Sequence, residues 1–172
     1  MERAGKELLV FRGLAGSRAN LVFRQDKNFW YLTGVESPGA ALVLDGRSGK
    51  EILFLPEQDL GQEIWDGEIW DTKDPWMKDL TGFKDVRPVD DLEKTIKELL
   101  VGRKKIGTNL GPAIGLSDSY DQAGSFDGDQ EKDPFDGRPT REKALAAKLK
   151  EKFGVDVFDV NPLLVEMRLV KT

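Results

Sequence analysis

One stretch of the sequence decides the fold: Phe23-Arg24-Gln25-Asp26-Lys27-Asn28-Phe29-Trp30-Tyr31-Leu32-Thr33-Gly34, followed by Pro38-Gly39 and an apolar run at 40–44. Three consecutive aromatic residues follow charged and amide side chains and lead to a glycine. This order predicts a short helical turn that buries the three aromatic residues and presents Arg24, Gln25 and Asp26 at its start. The same local chemistry also fits a corner of the core that has no further role.

A second cluster, Glu63-Ile64-Trp65-Asp66-Gly67, again combines an acid, an indole and a glycine. A buried indole needs a partner for its N–H group, whereas an exposed one has an apolar face free for contact. The cluster therefore fits either a lid over the edge of a sheet or a contact site. Trp70 and Trp76 follow in a polar stretch, where they either mark an interface or fold back on the core.

Strand and helix patterns alternate along the chain, which predicts an α/β domain with an open mixed β-sheet flanked by helices. The runs 40–44 and 51–55 flank a glycine-containing turn and predict an antiparallel hairpin. Thr140 is expected to cap a helix that ends at Gly154. Further strands are predicted at 7–12, 103–108 and 155–160, and further helices at 90–101, capped by Asp90 or Asp91, and from a cap at Asn161 with Pro162 in the first turn.

The segment 117–139 is rich in aspartate and glycine, and this composition predicts a surface loop or flexible insertion. Part of it, from Asp127 onward, resembles a calcium-binding loop. The sixth position, which requires glycine, is Lys132, and no glutamate stands at the twelfth. The sequence therefore gives no calcium site here.

Composition excludes several classes of function. The 172 residues suit one globular domain, and the net charge of −5 argues against a general nucleic-acid binder. No apolar run approaches the length of a membrane span, so we expect no membrane role and cytoplasmic residence. The chain has no histidine and no cysteine, which removes the commonest general base, the commonest zinc ligand and every thiol.

Several of these motifs resemble the amino-terminal domain of Xaa-Pro aminopeptidases (aminopeptidase P), a family to which prolidases and creatinases are related. The resemblance lies in Arg24-Gln25-Asp26, the segment 28–34, Pro38-Gly39-Ala40, Leu53-Phe54, the segment 63–67, Pro162-Leu163-Leu164 and the tail 167–172. It implies a mixed sheet of the ribonuclease-H-like type. It also implies a single domain over 1–172, in which 160–172 leads out toward an absent catalytic domain.

In the resembled family the catalytic domain binds two divalent metal ions, manganese or similar, through aspartate, glutamate and histidine. A chain without histidine cannot hold that site, so we expect no catalytic residue, metal ligand or cofactor on this chain. The resemblance implies a noncatalytic role in oligomerisation and substrate access. The implied partners are the catalytic domain, further copies of the chain and short peptides with proline in the second position.

The resemblance also assigns roles to the motif residues. It places Trp65 near the peptide-binding cleft and makes it the one substrate-proximal candidate. Trp30 is interpreted as a core residue because bulky aromatic side chains usually pack inside. All motif residues other than Trp65 are interpreted as structural: Arg24, Asp26, Trp30, Tyr31, Gly34, Glu63, Asp66 and Gly67.

Two alternatives of other classes stay open on the sequence. One is a free-standing binding or regulatory module that has this fold and serves no peptidase. The other is an enzyme that uses Asp26, Glu63 or Asp66, although isolated acids give no evidence of paired geometry.

Overall fold

A computed structural model describes residues 5–16, 23–67, 69–114 and 119–170, without the side chains of Leu60, Gln62 and Asp66. These ranges contain six strands: β1 (Leu8–Arg12), β2 (Ala41–Asp45), β3 (Lys50–Leu55), β4 (Asp85–Pro88), β5 (Lys105–Thr108) and β6 (Asp156–Asp159). They contain seven α-helices: α1 (Lys27–Thr33), α2 (Leu60–Asp66), α3 (Met77–Thr81), α4 (Leu92–Leu99), α5 (Tyr120–Lys132), α6 (Arg141–Phe153) and α7 (Asn161–Leu169).

The strands form one mixed sheet in the order β4-β3-β2-β1-β5-β6. The pairs β1–β2 and β2–β3 are antiparallel, and the other three pairs are parallel. Asp45 pairs with Lys50 where β2 turns into β3, so the predicted hairpin is confirmed. The mixed sheet flanked by helices confirms the predicted fold class.

Two apolar cores lie on the two faces of the sheet, because successive side chains of a strand point to opposite faces. Leu9 of β1 belongs to the first core, with residues of α1, α3 and α7 that include Phe29, Met77 and Leu164. Leu8 belongs to the second core, with residues of α4 and α6 that include Ile96 and Leu149. The helices are therefore divided between the faces, α1, α3 and α7 on one and α4 and α6 on the other.

Local capping signals place α6 as predicted. The Thr140 hydroxyl accepts a hydrogen bond from the Lys143 backbone N–H at 3.3 Å. Gly154 ends the helix in the left-handed region at φ 63°, where glycine lacks the steric cost of a Cβ atom. Both ends of α6 could be predicted from the sequence, because each depends on a single residue.

Two other predicted caps differ from the structure. A 3-10 turn at Val89–Asp91 precedes α4, and Asp91 occupies the N-cap position as expected but makes no capping hydrogen bond with its side chain. Asn161 is the first residue of α7 and not its cap, and its backbone N–H donates to the Asp159 carboxylate at 2.8 Å. The Asp159 carboxylate therefore accepts the first N–H of α7, and Asn161 does not serve as the cap.

The acidic segment is a helix and not a loop over residues 120–132, which corrects the prediction for 117–139. Ser119 and Gln122 form a capping box, with the Gln122 backbone N–H donating to the Ser119 hydroxyl at 3.2 Å and the Ser119 N–H donating to the Gln122 side chain at 3.0 Å. Lys143 of α6 forms an ion pair with Glu131 of α5. Residues 117 and 118 lie outside the described part of the chain.

Within the described ranges, every helix is too short or too polar to span a membrane.

Candidate functional site

Asp26 holds the start of α1 in place. Its Oδ1 accepts hydrogen bonds from the backbone N–H groups of Asn28 and Phe29 at 3.1 and 3.0 Å, and its Oδ2 accepts one from the Ile114 N–H at 2.9 Å. The side chain is buried. Because three backbone donors already engage the carboxylate, Asp26 has a structural role that ties α1 to the chain segment after β5.

Gln25 has a second structural role that the sequence did not show. It was expected at the surface with Arg24 and Asp26, but only Arg24 is exposed, and Gln25 is 4% exposed. Its Oε1 accepts from the backbone N–H of Leu14 at 2.5 Å and of Asp26 at 2.9 Å. Its Nε2 donates to the Ser37 carbonyl at 3.0 Å. A polar side chain that satisfies several backbone groups at once is stable in the interior.

The three aromatic residues of α1 do not share one environment. Phe29 is 3% exposed, whereas Trp30 and Tyr31 are 52% and 45% exposed, so the prediction that Trp30 lies in the core is wrong. The helix has one buried face, and positions four apart, Phe29 and Thr33, lie on it. Trp30 and Tyr31 follow Phe29 by one and two positions and therefore point away from that face. Gly34 ends the helix at φ 67°.

Helices α1 and α7 together expose an apolar surface, the α1–α7 face, formed by Trp30, Tyr31, Val165 and Leu169. The Tyr31 hydroxyl donates to the Met167 carbonyl at 3.1 Å, which holds the two helices side by side. Leu169 is 74% exposed. The face continues into a recess lined by Lys27, Ile114, Ser119, Tyr120, Val165, Arg168 and Leu169.

Trp65 lies on the outside of α2 and is 88% exposed, and its neighbour Ile64 is 81% exposed. An indole with that exposure does not act as a lid over the sheet. Glu63 is half-buried, and its carbonyl accepts the Gly67 backbone N–H at 3.0 Å. Gly67 adopts φ 86°, a conformation that glycine reaches without strain and that ends the helix directly after the tryptophan. The side chain of Asp66 lies outside the described part of the structure.

The other two tryptophans pack on each other. Their rings meet edge to face, with centroids 5.3 Å apart and planes at 87°, a favourable aromatic geometry. Trp70 packs against the first core and its carbonyl accepts the Ser37 hydroxyl at 2.8 Å. Trp76 remains 41% exposed. The pair folds back on the core through Trp70.

The described residues offer no set of metal ligands, since no three histidine, cysteine, aspartate or glutamate side chains among them lie close enough to hold an ion. The whole chain contains no histidine. Two metal ions of the kind bound by aspartate, glutamate and histidine therefore do not fit the residues that the structure describes. No step of a metal-dependent reaction is assigned to them.

The family model described as Aminopeptidase P, N-terminal domain, matches residues 14–107, just over half of the chain. Xaa-Pro aminopeptidase 3 of Mus musculus is 36% identical over 83 residues, covering 45% of this chain and 16% of that protein. Xaa-Pro aminopeptidase of Haemophilus influenzae is 43% identical over 65 residues, covering 35% of this chain and 15% of that protein. The match thus spans only about a sixth of the length of these relatives.

Solved structures show the same fold. A Bacillus anthracis protein assigned as an aminopeptidase P superposes with a TM-score of 0.71 at 22% identity, covering 98% of this chain and 37% of that one. The low-pH form of Escherichia coli aminopeptidase P superposes with a TM-score of 0.61 at 20% identity, covering 98% of this chain and 36% of that one. The chain therefore corresponds to little more than a third of each solved protein.

Proposed function

The chain belongs to the family of aminopeptidase P N-terminal domains, and we propose that it serves as the noncatalytic amino-terminal domain of a metal-dependent Xaa-Pro aminopeptidase. The reaction would release the residue that precedes proline, by attack of a metal-bound hydroxide on the peptide bond. The metal ions, manganese or similar, would be held by a separate catalytic domain. The absence of histidine from this chain supports that division of labour.

The exposed position of Trp65 is the observation that carries the proposal. Ile64 and Trp65 stand in solvent side by side on α2. Exposed aromatic side chains that add nothing to the core are characteristic of contact surfaces, where tryptophan contributes more than most residues. We assign Trp65 to the mouth of the peptide-binding cleft, where it would limit access to short peptides with proline in the second position.

The α1–α7 face is the proposed docking surface for the catalytic domain. It combines two aromatic and two aliphatic side chains, a composition typical of the centre of an interface. It includes α7, which follows the residues matched by the amino-terminal-domain model, 14–107, in the sequence, and a catalytic domain of this family would follow further along the chain. The proposal also includes assembly into homo-oligomers and residence in the cytoplasm, with which the lack of cysteine is compatible.

A chimeric enzyme tests the function. The chain would replace the region of the Bacillus anthracis protein on which it superposes, and hydrolysis of a short Xaa-Pro peptide would be measured with manganese present. The proposal predicts an active chimera, and Trp65→Ala within it should raise KM or lower kcat at least several-fold. A chimera that is folded and metal-loaded but inactive would contradict the proposal and favour a free-standing module of the same fold.

A matched pair of variants tests the docking surface. Leu169→Ser changes an exposed residue of the α1–α7 face, and Val101→Ser changes a residue of equal exposure, 75%, in the turn after α4. We expect Leu169→Ser to reduce the activity or thermal stability of the chimera and Val101→Ser to leave both unchanged. Equal effects of the two variants would show that the α1–α7 face does not contact the catalytic domain.

A further inference from the structure

The two connections that leave the centre of the sheet run in opposite directions. After β1 the chain passes through α1 on one face and returns to the sheet as β2, to one side of β1. After β5 it passes through α6 on the other face and returns as β6, to the other side. Strands β1 and β5 are parallel neighbours. Their carboxyl ends therefore flank a crevice at the switch point of the topology, which is where open α/β sheets bind ligands.

Polar side chains from four elements line this crevice. Arg12 ends β1, Thr108 ends β5 and is followed by Asn109, and Arg141 and Glu142 begin α6. Asp26 and Asn28 at the start of α1, together with Phe11, Phe29 and Leu145, complete the lining. The recess encloses about 350 Å³ including its open mouth, and little of that space is wide enough for a water-sized group. That room suits one or two water molecules or a single small ion.

Arg12 carries an unused donor in this crevice. Its Nη1 is buried and has no hydrogen-bond partner among the described residues. A buried donor without a partner destabilises the folded chain, and a charged donor does so more strongly. Native structures rarely retain such groups unless a water molecule or ion satisfies them.

The neighbouring charged groups are already engaged. Arg141 donates through Nη1 to the Glu142 carboxylate at 2.9 Å, and through Nη2 to the carbonyl groups of Arg12 and, at 2.8 Å, Gly13. The Asp26 carboxylate accepts three backbone N–H groups. Neither acid pairs with the Arg12 guanidinium among the described salt bridges. In the part of the chain that the structure describes, the Arg12 guanidinium thus has no ion-pair partner, although Asp26 and Glu142 line the same crevice.

The electrostatics of the crevice favour an anion over a water molecule. Burial lowers the pKa of the Arg12 guanidinium, and the positive charge of Arg141 lowers it further. Burial raises the pKa of the Glu142 carboxyl, where the charges of Asp127 and Asp26 act in the same direction and the charge of Arg141 opposes them. Both directions show that burial disfavours the charged forms of Arg12 and Glu142 and that a negative charge beside Arg12 and Arg141 would be stabilised by both guanidinium groups.

We propose that the crevice between the ends of β1 and β5 binds one small monovalent anion, a chloride ion or a carboxylate group, against Nη1 of Arg12. The site lies apart from Trp65 and does not depend on the proposed peptidase role. The bound anion would supply the missing partner of Arg12. It would thereby hold the connection that follows β1 against α6.

An NMR titration of the isolated chain tests the proposal. Sodium formate and sodium chloride would each replace sodium gluconate, whose carboxylate carries a bulky polyhydroxy chain, at constant ionic strength while the Arg12 Nε–Hε resonance is followed. We expect a saturable shift with formate, chloride or both in the natural chain and in the control Arg138→Met, which changes an exposed arginine. In Arg12→Met, we expect no saturable shift of the resonances of the other crevice residues.

Thermal stability supplies a second readout that does not depend on the Arg12 resonance. In gluconate, Arg12→Met should be at least as stable as the natural chain, because it removes a buried cation without a partner. The binding anion should then raise Tm of the natural chain by about 3–5 °C and leave Tm of Arg12→Met unchanged. Absence of saturation with both anions, or a marked loss of stability of Arg12→Met in gluconate, would overturn the proposal.

Discussion

Helices α1 and α2 carry similar residues but contribute differently to the domain. Each combines acidic or amide groups with a tryptophan and ends at a glycine with positive φ, 67° at Gly34 and 86° at Gly67. Phe29 of α1 and Asp26 directly before it are buried, whereas Trp30 is about half exposed. In α2 the tryptophan is almost fully exposed. The first motif therefore anchors the domain as well as contributing to the α1–α7 face, and the tryptophan of the second motif contributes only to the surface.

The difference follows from what each helix packs against. Phe29 belongs to the first core beneath β1, and Asp26 connects α1 to Ile114 across the sheet end. Polar contacts help to hold the flanks of α2, such as the Lys73 ammonium donating to the Gln58 carbonyl at 2.9 Å. Ile64 and Trp65 of α2 belong to neither core and are available for contact with other surfaces.

Phe29→Ala should have the largest effect on stability. Truncation of a buried phenylalanine costs about 3–5 kcal/mol, because apolar contacts are lost and a cavity remains. Trp30→Ala, one residue further and half-exposed, should cost less than about 1 kcal/mol. Urea denaturation of both variants measures the contrast. Equal costs would show that α1 does not divide its aromatic residues between core and surface.

Asp26→Ala should follow in size. It leaves three backbone N–H groups without their acceptor, and we expect a loss of about 2–3 kcal/mol in the free energy of unfolding. Asp26→Asn retains one acceptor oxygen and should lose less. The exposed Asp129→Ala on α5 serves as the control and should stay within about 0.5 kcal/mol. An Asp26→Ala variant with an unchanged free energy of unfolding would contradict the structural role of the first motif.

Replacement of Glu142 tests the electrostatics beside α1, with a smaller expected effect on stability than Asp26→Ala. Since burial raises the pKa of its carboxyl in the folded chain, its contribution to stability is full below the unfolded pKa and is lost as pH rises through the folded pKa. Glu142→Gln keeps an acceptor for Arg141 but cannot ionise. The stability of this variant relative to the natural chain should therefore rise between pH 4 and pH 7. Chemical denaturation at several pH values measures this, and a difference that falls with pH would refute the assignment.

Sequence predicted the features that depend on near neighbours. The hairpin of β2 and β3 and the ends of α6 rest on turn and cap residues a few positions away. The capping box of α5 was present in the sequence as Ser119 and Gln122, but glycine and aspartate content outweighed it. The environment of Trp30 could not be predicted, because it depends on which face of a seven-residue helix meets the sheet.

The candidate sites depend on contacts between distant parts of the chain. The crevice joins Arg12 to Arg141, and only the strand order brings them together. Likewise, the motif around Trp65 fits a buried lid as well as an exposed contact until its surroundings are known. Family resemblance supplied the functional candidate there, and the structure added that its indole is 88% exposed.

The most direct measurement compares stability and kinetics for Trp65→Ala. In the isolated chain the variant should change the free energy of unfolding by no more than about 0.5 kcal/mol, because the indole contacts little of the domain. In the chimera with the Bacillus anthracis catalytic region the same variant should raise KM or lower kcat for Xaa-Pro peptides several-fold. If Trp65→Ala instead loses several kcal/mol while the folded chimera keeps unchanged kinetics, Trp65 belongs to the core, and its assignment to the peptide cleft is wrong.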